Sequence, residues 1–141
     1  MATENNEHSA ERQVGFPKKG AAMTPPELVG NVVADAFAAN ATDIHIDPVH
    51  DGYRVCFRVD GVIHEHEHLD QEVGDHLVNQ TKVVANLGAD MAHEPQENTI
   101  NWTEEGETKG LRVTVVPTVD LEAVHIRVLA PPTEVIAAEQ L

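Results

Sequence analysis

The sequence predicts an α+β domain, an antiparallel β-sheet with two helices packed against it in the order α-β-β-β-α-β-β-β. Three observations lead there. Apolar residues alternate at period two through Ile44–Ile46, Tyr53–Val59, Ile100–Trp102, Leu111–Val115 and Val124–Val128. Two further stretches, Leu28–Phe37 and Val73–Leu87, repeat at helical spacing instead. Short turns such as Asp60-Gly61 join neighbouring strands directly, which makes hairpins rather than parallel crossovers.

Taken in order, residues 1–23 are polar or small, carry Gly15, Pro17 and Gly20, and read as a disordered leader. The folded domain is expected over 24–130. Thr24-Pro25-Pro26-Glu27 sets a Thr at the N-cap, a proline at the first helical position and a Glu three residues on, a capping box. Leu28, Val32 and Ala36, flanked by Val29, Val33 and Phe37, form the stripe of the first helix, which ends near Asn40. Ile44 and Ile46 alternate with Asp43, His45 and Asp47 in a short strand that Pro48 closes. Tyr53, Val55, Phe57 and Val59 then alternate with Arg54, Cys56 and Arg58. Asp60-Gly61 supplies the two positive-φ residues of a tight hairpin, and the chain returns through Val62–His68. The second helix starts at Asp70 and stops at Gly88. Ile100 and Trp102 lead into the turn Glu104-Glu105-Gly106, two strands follow, and Pro131-Pro132 ends the fold, leaving 131–141 as a flexible tail.

Composition excludes several functions. The chain has 141 residues, a formal net charge of −15 and 9 basic residues, three of which (Arg12, Lys18, Lys19) lie in the leader. Each neutralised backbone phosphate needs a Lys or Arg, so nucleic acid and anionic membrane are poor partners. Cys56 is the only cysteine and forms no internal disulfide. No run nears the roughly 20 apolar residues of a membrane span, and the polar N-terminus has no apolar signal region, so a cytoplasmic protein is expected.

Several polar residues invite chemistry. Arg54 and Arg58 share one face of their strand, and Arg112 and Arg127 lie opposite the apolar faces of theirs. On their own these are solvated side chains or cross-strand ion pairs. A two-residue loop sets Arg54 opposite Glu67 and Arg58 diagonal to Glu65, pairs worth a few tenths to about 1 kcal/mol. His64, His66 and His68 alternate along one strand, and three imidazoles at that spacing can hold Zn or Ni. The same register places them opposite Phe57, Val55 and Tyr53, where they read as edge-of-core histidines. Asp43, His45 and Asp47 can be drawn as an acid–base group, but a hydrolase also needs a nucleophile or metal in a cleft, and none is suggested. Neighbouring arginines could lower the pKa of Cys56, but a lone thiol with no resolving cysteine reads as inert.

Five segments, in order, resemble the N-terminal accessory domain of the type II secretion and type IV pilus assembly ATPase family. They are Ala41-Thr42-Asp43-Ile44-His45-Ile46-Asp47-Pro48, the run Arg54 to Glu65, Lys82-Val83-Val84-Ala85-Asn86-Leu87, the run Leu111 to Val119, and Ile126-Arg127-Val128-Leu129. The chain departs from that pattern at His93–Asn98 and at Leu121-Glu122-Ala123. In the family this domain precedes a motor with a Walker A loop, which needs a Gly-Lys pair to cradle phosphate. No Gly-Lys pair occurs here, so the chain is expected to lack the motor and to be non-catalytic, with no cofactor of its own and ATP and Mg met only through a partner. The resemblance implies that Arg54, Arg58 and Arg112 approach a nucleotide bound by such a motor. It implies a module that docks on a secretion or pilus motor ATPase or another component of that apparatus. The alternatives are a subunit supplying arginines in trans, and a metal sensor using the His64/His66/His68 row.

Overall fold

A computed structural model describes residues 26–88 and 94–129. Its elements are α1 (Glu27–Ala38), β1 (Asp43–Val49), β2 (Gly52–Val59), β3 (Val62–Leu69), α2 (Gln71–Val84), β4 (Gln96–Glu104), β5 (Glu107–Pro117) and β6 (Glu122–Val128). The predicted order and α+β class are observed. All strand pairs are antiparallel, and the six strands lie in the order β3-β2-β1-β6-β5-β4. Each half of the chain makes a helix and a three-strand meander, and the two meanders join where the last strand lies against the first. The predicted leader 1–23, the Thr24 cap, the Pro131-Pro132 stop and the tail 131–141 lie outside the described residues.

One face of the sheet carries the core. Ile44, Ile46, Tyr53, Val55, Phe57, Leu111, Val113, Val115, Val124 and Ile126 are buried there with Val29, Val33 and Ala36 of α1 and Leu77 and Val78 of α2. Each large aliphatic or aromatic side chain so buried contributes roughly 1.5–3 kcal/mol. Gly74 of α2 rests directly on the Tyr53 ring, and the Tyr53 hydroxyl donates to Asp75 Oδ1 at 2.7 Å. Lys82 of α2, only 4% exposed, donates to both carboxylate oxygens of Glu122 in β6 at 2.9 and 3.0 Å. These contacts clamp α2 across β2 and β6. Among the described residues no helix covers the opposite face.

Four local expectations need correction. α1 begins at Glu27, two residues later than the capping box implied, with Pro26 in the cap position at ψ 151° and no side-chain cap. Pro26 O accepts the first helical bond, from Gly30 N–H at 2.9 Å, which makes Pro26 the cap and Glu27 the first helical residue. The Val29 N–H is satisfied instead by Gln80 Oε1 of α2 at 3.0 Å. Pro48 does not close β1, which continues to Val49. Pairing with β6 ends at Ile46, so beyond it only the β2 side asks for a ladder, and a missing N–H is tolerated. α2 ends at Val84, and the left-handed residue that closes it is Asn86 rather than Gly88. Asn86 adopts φ 61°, and Leu87 N–H reaches Lys82 O at 2.8 Å. Asn40 ends α1 in the same way, at φ 58° with Ala41 N–H on Ala36 O at 2.9 Å, a Schellman closure.

The fourth correction concerns the β2–β3 register. Asp60 (φ 52°) and Gly61 (φ 81°) make the predicted two-residue turn, and Phe57 pairs with His64. The register then shifts between Val55 and Cys56, so Arg54 faces His68 rather than Glu67. The unpaired residue is His66, whose ring stacks on Phe57 at 4.3 Å and whose Nε2 lies 3.0 Å from Asp35 of α1. That tertiary contact is invisible to a period-two pattern.

Candidate functional site

The uncovered sheet face gathers the polar halves of the alternating strands. The registers place Arg58, Asp43, Arg127, Arg112 and Thr99 in one row across β2, β1, β6, β5 and β4. Arg58 to Arg112 spans three strand spacings, about 14 Å. The neighbouring row is Cys56, His45, His125, Thr114 and Glu97.

Asp43 is the hub. Its side chain is 4% exposed although no helix among the described residues lies over it, because the groups bonded to it cover it. Thr42 Oγ1 donates to Oδ1 at 2.8 Å, while His125 Nε2 and Arg127 Nε lie 2.8 and 3.2 Å from Oδ2. Arg58 Nε stands 3.9 Å from Oδ1, and its Nη1 donates to Gly61 O of the hairpin turn at 2.9 Å. Burial alone would raise the Asp43 pKa. The bonds from His125, Thr42 and Arg127 outweigh it and bring the carboxyl down to about 2.

Arg127 faces Arg112 directly across β6 and β5, and like charges in that position repel. Each is held on its outer side by one carboxylate, Arg127 by Asp43 and Arg112 by Glu97 at 2.8 Å. Both use Nε for this, so neither terminal fork has a hydrogen bond among the described residues. A cavity of about 130 Å³ lies there, lined by Glu97, Arg112, Thr114, His125 and Arg127. The row carries three guanidinium groups against Asp43 and Glu97, a local positive excess on a chain of formal charge −15.

Asp43, His45 and His125 have ligand atoms within 4.8 Å of one another, the composition of a two-His, one-carboxylate metal site. The geometry opposes that use. The two imidazoles stack at 4.5 Å and 9°, so their in-plane lone pairs run parallel instead of converging, and the carboxylate is already taken by Arg127. Burial first, then the neighbouring His125, lowers the pKa of His45.

The sequence-predicted residues separate into groups. Arg54, Arg58 and Arg112 all lie on the uncovered face, and Arg58 and Arg112 join the row. Arg54 stands elsewhere on β2 and makes no ion pair among the described residues. Asp60 and Gly61 make the turn and present the carbonyl that Arg58 uses. The histidine row does not stay together. The bulge puts His64, opposite Phe57, and His68, opposite Arg54, on different faces, and His68 Nε2 pairs with Asp51 at 2.9 Å. Cys56 is buried, and burial raises its pKa despite the lowering influence of Arg54, which agrees with the inert reading of a lone thiol and not with an activated one. Sequence reasoning missed Asp43 and His125 as partners and did not select Arg127. The signals were Asp43-x-His45 and His125-x-Arg127, which alternate with Ile44, Ile46, Val124 and Ile126.

Comparison with known proteins agrees with the resemblance. The family model described as Type II/IV secretion system protein matches residues 19–141. Type II secretion system protein E of Xanthomonas campestris pv. campestris is 34% identical over 77% of this chain and 19% of its own length. Type IV pilus assembly ATPase PilB of Thermus thermophilus is 26% identical over 100% of this chain and 16% of its own length. The X-ray structure of the Legionella pneumophila ATPase DotB superposes with a TM-score of 0.47 at 15% identity, over 86% of this chain and 37% of that one. The chain thus spans about a fifth of the curated relatives it matches. Among the described residues no helix is long and apolar enough to cross a membrane. With the family model covering residues 19–141, the chain belongs to the Type II/IV secretion system protein family.

Proposed function

We propose that the uncovered sheet face docks on the nucleotide-bearing side of a secretion- or pilus-type motor ATPase and brings guanidinium charge to the phosphates held there. On this reading the described domain is an interaction module without chemistry of its own. The motor is either another part of the same polypeptide or a separate chain, and ATP and Mg are met only through it. The observation that carries the reading is the Arg112–Arg127 pair, two like charges set face to face whose forks have no hydrogen bond among the described residues. Such a pair gains from an anion placed between its forks, and a guanidinium fork matches phosphate oxygens two at a time.

The test is steady-state ATP turnover by a motor chain that binds this domain, with wild type, Arg112→Ala and Arg127→Ala compared. Each substitution removes charge-assisted hydrogen bonds worth about 1.5–3 kcal/mol, so a loss of roughly tenfold or more in half-saturating domain concentration is expected. A docking face loses affinity with turnover at saturation unchanged. An arginine acting on the transferring phosphoryl group lowers saturated turnover as well. Neither change in either variant would remove the face from the account.

A further inference from the structure

Asp43 is unusual in its position. A carboxylate in the middle of an uncovered sheet face would ordinarily reach into solvent, yet this one is 4% exposed and surrounded by donors. Burying a charge is unfavourable unless it is paired and hydrogen-bonded, and here four groups from three segments do this: Thr42 before β1, His125 and Arg127 of β6, and Arg58 of β2. Two of them are the arginines flanking it in the row. The guanidinium group is planar, so a bond at Nε restrains the plane of the whole fork. Arg127 is held this way, and among the described residues its terminal nitrogens have no hydrogen bond. Arg58 is restrained twice, by Asp43 at 3.9 Å and by Gly61 O at 2.9 Å.

We infer that Asp43 is the positioning residue of this face: it touches no anion itself but holds Arg127, and with the hairpin carbonyl Arg58, in the orientation that receives a phosphate-type oxyanion. This rests on the function proposed above. It makes Arg127, rather than Arg54, which lies outside the row, the prepared arginine. The competing role is simple neutralisation of a crowded positive row, and the two roles differ in sign. A neutralising carboxylate weakens anion binding, so its removal strengthens uptake. A positioning carboxylate weakens uptake when removed, even though the chain becomes less negative.

The experiment uses the full chain as wild type, Asp43→Asn and Arg127→Lys, with inorganic tripolyphosphate as the probe at low ionic strength. Hydrogen exchange of the Arg127 Nε–H is followed by NMR alongside calorimetric titration. Losing one charge-assisted bond is expected to speed Arg127 Nε–H exchange roughly tenfold in Asp43→Asn and to weaken tripolyphosphate uptake at least about fivefold. Arg127→Lys keeps the charge and loses the fork, and the same weakening is expected there, which keeps the test open if Asp43→Asn folds poorly. Unchanged Nε–H exchange, stronger uptake by Asp43→Asn, or full uptake by Arg127→Lys would overturn the positioning role. A wild-type chain that takes up no tripolyphosphate would overturn the anion reading of the face, while the exchange rates decide separately whether Asp43 holds Arg127.

Discussion

Replacing Gly74 by Ala sets two effects of opposite sign against each other. Gly74 lies in the first turns of α2, where Ala is favoured by up to about 1 kcal/mol on helix propensity alone. A Cβ at this position would stand 1.9 Å from Tyr53 Cδ1, 2.5 Å from Cγ and 2.7 Å from Cε1. Ordinary contact begins at 3.4 Å, so helix or ring must retreat by about 1.5 Å. The ring is poorly able to do so, being 1% exposed and tied by its hydroxyl to Asp75. The helix is tied at its far end by the buried Lys82–Glu122 pair. Overpacking of a rigid core costs about 1–3 kcal/mol, and a retreat this large belongs at the upper end. Gly74→Ala is therefore expected to destabilise by about 1–2 kcal/mol net, read as a fall of at least roughly 4 °C in Tm by calorimetry. In a Tyr53→Leu background the same substitution should cost much less, because the ring is gone. A Gly74→Ala protein with unchanged or raised Tm, its Tyr53 intact, would refute the packing argument.

Two further outcomes follow from buried charges. Asp43 has a folded pKa of about 2 against an ordinary 3.8, so its interactions stabilise the fold above pH 4 and are lost as pH falls toward 2. The depression corresponds to about 2 kcal/mol, and urea denaturation should show the gap between wild type and Asp43→Asn closing by about that amount between pH 6 and pH 2. A pH-independent gap would mean that the ionised form is not the one stabilised. Lys82→Met alone leaves Glu122 without its cation at the α2–β6 contact and should cost about 3 kcal/mol, whereas Lys82→Met with Glu122→Leu should recover most of that loss. A double variant no better than the single one would show that shape, not the uncompensated charge, causes the loss.

Much of the fold was legible because the chain signals it locally. Strand periodicity, the Asp60-Gly61 turn and the helix start at Asp70 each act within a few residues, and all three appear where expected; the structure adds that Asp70 caps the helix, its Oδ1 accepting from Val73 N–H at 3.0 Å. Errors arose where a distant partner decided the outcome. His66 bulges out of the ladder to meet Phe57 and Asp35, which turned a three-histidine row into residues on two faces. The start of α1 is satisfied by Gln80 from the other helix. The site suffered most, since its row depends on β6 lying between β1 and β5. Strand periodicity identifies the faces of each strand but not which strands are neighbours, so it could not show that Arg112 opposes Arg127 or that Asp43 holds Arg127. Lys82 illustrates the reverse. It was one letter of a family motif in the sequence and is, in the fold, a buried structural cation.

The most direct test of the docking account is the affinity of this domain for a secretion- or pilus-type motor chain, measured by titration calorimetry with the motor empty, loaded with ADP and Mg, and loaded with a non-hydrolysable ATP analogue and Mg. If the arginine row meets phosphate, affinity rises in that order, and Arg112→Ala with Arg127→Ala flattens the series while leaving the empty-motor value nearly unchanged. Equal affinity in all three states, or a series that survives the double substitution, would contradict the account.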